Sequence, residues 1–570
     1  MKYLMSLDSP LKHFIKISLE IDNINDPYID LKLPIWRPGR YEAANYAKNI
    51  QSFNALEKNG KPLKYEKINS SCWRITTEHT SSIKIEYNYY AHQMDAGNSW
   101  YGENQVYINF VNCMLYNDER LDEPCEITLD FPKQYTIACG LKKTVNGLEA
   151  DNYHLLADSP LIASGSIQHL TYKVDQYDFN IWIQGDHQLD SETLIKDFKK
   201  FSEYQIRVMG ELPTKDYHFL IQITPYKFYH GVEHGNSTVI AIGPGAELTT
   251  AALYSELLGV SSHELFHAWN ILKIRPKEML PYDFGKPPIF DTGFVAEGFT
   301  TYYGDLFLVQ SGVYDKPWYF NELNKLFQRH FLNFGRLNNS VVDSSIDLWV
   351  DGYQPSAPHK KSSIYAEGAM IAFTLDLMIR QQSRNERSLD DVMRVLWKDY
   401  GQQDIGYTKG DILKVCEQVF DGDLKTYFRD YVDGTKAKES LVNELLGYVG
   451  CELKISPSES LLERELGIKV VIDASDCTVV MIAPGSIGED YLSVRDKILK
   501  INGESITEES LKNLKVGNLR FEIDRNYKIK HLEIETAGRS YLQKHAIVQM
   551  ENPSQVQRDS FEKWLNVKFD

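Results

Sequence analysis

The chain lacks most of what would tie it to a membrane, a disulfide scaffold or a nucleic acid. No run of 18 or more apolar residues occurs, and the longest candidate, 368–379, is broken by Asp376. A transmembrane span is therefore excluded. Behind Met1-Lys2-Tyr3 there is no apolar segment of the kind a secretion signal needs, and residues 11–21 mix polar and apolar positions as a strand does; no signal peptide is expected. Cysteine is scarce: Cys72, Cys113, Cys125, Cys139, Cys416, Cys451 and Cys477 are scattered, odd in number, and form no C-x-x-C pair. That pattern fits buried free thiols in a reducing, cytoplasmic setting better than a disulfide framework or a thiolate zinc site. Positive charge is also short, with 62 Lys and Arg against 79 Asp and Glu, a formal net charge of −17. Such a surface repels phosphate backbones and anionic lipid, so neither nucleic acid nor a membrane is an expected partner.

What is present suits large folded cores. The 570 residues are 43% hydrophobic and 25% charged, which excludes disorder as the dominant state and suggests about three to five domains. Residues 1 to about 170 alternate in short runs such as Phe14-Ile15-Lys16-Ile17-Ser18-Leu19-Glu20-Ile21, separated by Pro38-Gly39, Asn59-Gly60 and Asn146-Gly147. These features predict an antiparallel β-sandwich. Beyond residue 175 a few strands (217–224, 239–242) give way to helical patterns at 251–271, 293–311, 363–382, 389–399, 409–419 and 422–433, predicting an α/β core with a helical extension. Residues 451–535 return to short strands with Pro484-Gly485 and Asn502-Gly503. No internal repeat or low-complexity tract appears.

The sharpest chemical signal is His263-Glu264-Leu265-Phe266-His267, an H-E-x-x-H inside the 251–271 pattern. A chance match is expected roughly 0.03 times in a chain of this composition. Residues i and i+4 lie about 6 Å apart along one helix face, so both imidazoles can reach one ion. Zinc takes nitrogen ligands and keeps an open position for water, and Glu264 on the same side can take that water's proton. The alternative is a hydrogen-bonded helical His pair. A third ligand is then needed, and Glu297, in the apolar run Phe294-Val295-Ala296-Glu297-Gly298-Phe299, is the best candidate, because a carboxylate so placed requires a partner. Its alternative is a carboxylate at a helix N-terminus interacting with the dipole.

H-E-x-x-H followed by Glu297-Gly298-Phe299-Thr300-Thr301-Tyr302-Tyr303 resembles the gluzincin metallopeptidases, and within them the M61 family, the glycyl aminopeptidase type. Trp36-Arg37-Pro38-Gly39-Arg40-Tyr41 is similar to that family's N-terminal β-domain signature, and His267-Ala268-Trp269-Asn270 with Ile274-Arg275-Pro276 to the continuation of its zinc helix. The interval of 29 residues between His267 and Glu297 matches as well. The resemblance implies one zinc ion held by His263, His267 and Glu297, with Glu264 as general base. Gly231-Val232-Glu233-His234-Gly235 is similar to the family's G-x-E-H segment, which implies Gly231 and Glu233 as substrate-binding residues, Glu233 anchoring a free α-amine. Tyr365 matches the Tyr of a Y-x-K-G pattern, implying an oxyanion donor; Glu367 stands where that pattern has Lys.

The C-terminal segments Glu465-Leu466-Gly467-Ile468, Ala483-Pro484-Gly485 and Asp496-Lys497-Ile498 resemble a PDZ domain, with Arg495 where Gly is usual. Such a module could take a peptide C-terminus, or serve a purely structural role packed on the catalytic domain. The chain is thus expected to be a multidomain α+β protein: a β-sandwich at 1–172, a thermolysin-like zinc-peptidase domain at 173–453, and a PDZ-like domain with a tail at 454–570. The expected function is a zinc aminopeptidase acting on small N-terminal residues, Gly or Ala, of peptides. The rival readings are an endopeptidase using the same metal site and a non-catalytic scaffold binding peptide C-termini.

Overall fold

The computed structural model describes residues 1–570 apart from 474, 475 and 537. In the N-terminal region a seven-stranded sheet runs in the order 142–143, 147–150, 125–130, 2–7, 14–21, 83–90, 50–57. Strand Phe14–Ile21 buries Ile15, Ile17, Leu19 and Ile21 on one face, as its alternation predicts. Sheets of four and three strands accompany it. The predicted all-antiparallel sandwich is modified at one place: strand Lys2–Leu7 pairs parallel to Cys125–Asp130. A partner more than a hundred residues away leaves no local trace in sequence.

A second, five-stranded sheet runs in the order 168–174, 177–184, 216–223, 237–243, 228–234. Its three inner strands are parallel, joined in part by helix Ser191–Met209, and the last strand folds back antiparallel as a hairpin. The predicted boundary at 172/173 falls inside the first of these strands. One face packs Leu220, Val232, Val239 and Ala241 against Ala96, Tyr107 and Ile162 of the N-terminal region. Side chains alternate along a strand, so Gly231 and Glu233 face the other way, toward the helices. Helix Ala251–Phe266 lies there, held by Tyr217 Oη donating to the Glu264 carbonyl at 3.1 Å and by Gln205 Nε2 donating to the Ser262 carbonyl at 2.9 Å.

The helical extension includes Thr300–Gln310, Lys316–Phe331 and Ala366–Gln382. A C-terminal six-stranded sheet, with strand Ile468–Asp473 at its edge, has its own core around Leu466, Ile468, Val479, Phe521, Ile523 and Ile534. The chain then leaves that sheet. Strand Gln543–Gln549 pairs with Cys451–Pro457, and helix Gln555–Leu565 buries Phe561, Trp564 and Leu565 in the main core. There Trp564 Nε1 donates to Tyr302 Oη at 3.0 Å. The predicted C-terminal tail is therefore packed against the helical region. All seven cysteines are free and buried. Among the described residues no helix is long and apolar enough to cross a membrane.

Candidate active site

The H-E-x-x-H helix starts at an N-cap, Thr250, whose hydroxyl accepts from Leu253 N–H, and ends at Phe266 rather than continuing to 271. His267 is the first residue past the helix, yet it keeps helical backbone angles (φ −61°, ψ −21°), so the i, i+4 relation to His263 survives. The two Nε2 atoms stand 3.1 Å apart. His267 Nδ1 donates to the Asn270 carbonyl at 2.9 Å, which fixes the tautomer and leaves Nε2 a bare lone pair.

Glu297 sits in a π-helical turn, Phe294–Phe299, ahead of helix Thr300–Gln310. The wider turn leaves the Val295 and Ala296 carbonyls open to Asn270 Nδ2, at 2.8 and 3.2 Å. One residue thus orients His267 through its carbonyl and tethers the Glu297 turn through its amide. Glu297 Oε2 lies 3.5 Å from His267 Nε2, and Oε1 accepts from Tyr41 Oη at 3.3 Å. One ligand atom each from His263, His267 and Glu297 lies within 4.8 Å of the others, and the same holds for Glu233, Glu264 and His267.

Electrostatically the site is unbalanced. Burial, then Glu233 and Glu297, push the Glu264 carboxyl well above its ordinary range, opposed by Arg37. Burial, then Glu233, push Glu297 up, opposed by the Tyr41 hydrogen bond. Burial and the neighbouring ring of His267 hold His263 well below the usual imidazole range, and burial lowers His267. Glu233 Oε1 and Glu264 Oε2 are buried without a hydrogen-bond partner. Two neutral imidazoles facing three crowded carboxylates are a donor set that a divalent cation would satisfy, and the nitrogen donors suit zinc.

Tyr365 stands at the start of helix Ala366–Gln382. That helix meets the Glu297 turn backbone to backbone at Gly298 and Gly368, where a Cβ on either would overlap the backbone of the other segment. Tyr365 thereby joins His263, Glu264 and Gly231 in lining a cleft of about 620 Å³. Glu367, the departure from the Lys pattern, points into the protein: its carboxylate pairs with buried Lys438, and Oε2 lies 2.6 Å from His330 Nδ1. Burial alone would raise the Glu367 pKa, but these two partners hold it well below the usual carboxylate range. A cation is retained beside the helix, supplied from another segment.

All seven residues singled out from sequence thus converge here. Three further contributors, Tyr41, Gly39 and Asn270, carry no chemical motif of their own in the sequence. They fall within the stretches Trp36–Tyr41 and His267–Asn270, whose only sequence signal is their likeness to the family. Gly39 has φ +78°, and a Cβ there would overlap the Glu233 carboxylate. The N-terminal β-region therefore forms part of the site wall.

Comparison with known families gives two matches: the Peptidase M61 N-terminal domain over residues 2–165, and the M61 glycyl aminopeptidase domain over residues 256–371. The chain belongs to the M61 peptidase family. This M61 chain is also similar in fold to the crystal structure of an aminopeptidase N family protein from Idiomarina loihiensis, at 25% identity over 99% of each chain with a TM-score of 0.91. Looser likenesses are to an M1 zinc metallopeptidase from Deinococcus radiodurans, as a variant bound to a Tyr-Ser-Ala substrate (12% identity, TM-score 0.47) and in a second crystal structure (13% identity, TM-score 0.45). Each covers 76% of this chain and 94% of that one. No curated protein matches the sequence.

Proposed function

We propose that this M61 peptidase is a zinc aminopeptidase that releases the N-terminal residue, Gly or Ala, from peptides. His263, His267 and Glu297 would hold the ion, whose contribution when bound is Lewis acidity toward a carbonyl and a water. Glu264, through its unpartnered Oε2, accepts a proton from the attacking water and passes it to the departing amine; a carboxylate of raised proton affinity suits both halves of that transfer. The Tyr365 phenol, pushed well up by burial and then by Glu297, keeps its proton and donates to the oxygen that gains charge. Glu233 holds the α-ammonium of the substrate.

The observation that carries this reading is Glu233 Oε1, buried and unpartnered, with a ligand atom of its carboxylate within 4.8 Å of Glu264 and His267. A buried carboxylate beside a metal-type donor set is costly unless a second cation arrives, and a substrate α-ammonium is one. Gly39 against Glu233 and fully buried Tyr41 beside Glu297 favour a small first side chain.

The test is metal analysis joined to peptides with free and acetylated N-termini. One chelator-removable zinc per chain is expected, with cleavage of Gly- and Ala-peptides and none of their acetylated forms. Undiminished cleavage of the acetylated peptides would favour the endopeptidase reading instead. Glu264→Gln should retain the metal while losing activity by about 10²–10⁴-fold.

A further inference from the structure

The cleft that starts at His263, Glu264 and Tyr365 does not include Glu233 among its lining residues. A peptide with its amine at Glu233 and its first carbonyl at the metal trio can continue out along this cleft, which Gly231, Glu264 and Tyr365 also line. The cleft runs past Gly304 and Trp318 to Lys325 and Arg329 on helix Lys316–Phe331. Lys325 and Arg329 are one turn apart on the same helix face. Both also line a second cavity, of about 600 Å³, at the outer end of the first.

This outer cavity is built from three segments: helix Lys316–Phe331, the 356–361 loop and the edge of the C-terminal sheet. Its cationic residues are Lys325, Arg329, Lys360, Lys361 and Lys469, and it is lined by no carboxylate. In a chain of net charge −17 such a concentration of one sign stands out. Some of the charge is used internally: Lys325 pairs with Glu322 at 2.7 Å, and Lys360 with Asp347 and Asp351 at 2.7 and 2.8 Å. Lys361 Nζ is held by backbone carbonyls of Asp351, Gly352 and Gln354, which leaves its charge uncompensated by an acid. Among the described residues Arg329 and Lys469 form no ion pair and no side-chain hydrogen bond. The inner cleft, by contrast, is lined by the carboxylates of Glu256, Glu264, Asp305 and Glu322 as well as by Lys325 and Arg329.

We propose that this cavity is a substrate vestibule that receives an acidic segment of the peptide downstream of the cleaved bond, with Arg329 and Lys469 as its principal contacts. The proposal rests on the aminopeptidase reading for the direction in which the peptide runs. It assigns the C-terminal domain a part in substrate choice, because Lys469 lies on strand Ile468–Asp473 of that domain. Complementary charge at a cavity mouth selects and steers a partner even where each exposed pair contributes little.

The test measures binding of two fluorescent, C-terminally amidated peptides to zinc-loaded Glu264→Gln protein, so that the peptides are not consumed. Both begin Ala-Ala-Ala; one continues with four Asp and the other with four Lys. The acidic peptide is expected to bind about fivefold or more tightly at low salt, with the difference shrinking as salt is added. Adding Arg329→Glu or Lys469→Glu should each cut that ratio, whatever fraction of the protein is folded, since both peptides see the same preparation. Equal affinities, or a ratio that neither substitution moves, would overturn the vestibule. Acetylating both peptides tests the underlying reading separately: loss of affinity supports the amine anchor, whereas unchanged affinity sinks the anchor and its direction argument but leaves the charge ratio to be read on its own.

Discussion

The phenol of Tyr41, from the N-terminal β-region, donates to Glu297 Oε1 of the helical region at 3.3 Å. If Glu297 holds zinc as proposed, a partner that orients its carboxylate matters for ion affinity. Tyr41→Phe should therefore lower zinc affinity about 10-fold or more, measured by competition with a chelator, while the protein still folds.

Gly39 permits the Glu233 carboxylate to lie against the backbone at φ +78°. Gly39→Ala should cost about 1 kcal/mol or more through the positive φ, and should also displace Glu233. The expected result is a raised KM for peptides with free N-termini. Gly60 is a matched comparison, at φ +89° with nothing within 4 Å of an added Cβ; Gly60→Ala should lose stability without changing KM.

The crowding of Glu233, Glu264 and Glu297 makes a prediction for the metal-free protein. The folded-state pKa of Glu264 is raised, by burial first and then by its acidic neighbours. Its contribution to stability is fully present below the unfolded value of 4.5 and is lost as pH rises through the folded value. Glu264→Gln, which cannot ionise, should thus raise the melting temperature of metal-free protein at neutral pH. The gain should shrink toward pH 4–5, and a gain that grows on acidification would contradict this account.

Lys438, His330 and Glu367 form a buried charge cluster behind Tyr365. Lys438→Met leaves the Glu367 carboxylate with one partner fewer, and should cost about 3–5 kcal/mol in denaturant unfolding. Combining it with Glu367→Gln should recover part of that loss. Additive losses would show that the two residues do not act as a pair.

Local geometry made much of the site legible. His263, Glu264 and His267 share a face because helix geometry puts i and i+4 there, and the structure keeps that relation although the helix stops one residue short. Glu297 could be read from a carboxylate stranded among apolar neighbours. Glu233 and Tyr365 were legible only through likeness to a family, since a lone Glu on a strand or a Tyr at a helix start has no periodic signal.

By itself the sequence determined the order of β-rich, helical and β-rich regions, the spacing of the metal-type residues on one helix, and the absence of a long apolar helix. Tertiary structure decided what depends on contacts between distant segments. It set Gly39 against Glu233, joined Tyr41 to Glu297, tied Asn270 to the Glu297 turn, and supplied Lys438 to Glu367 across 71 residues. It also returned helix Gln555–Leu565 to the main core. Periodicity in sequence reports how one element meets its own surroundings, whereas these contacts are fixed only when separate elements are packed against each other.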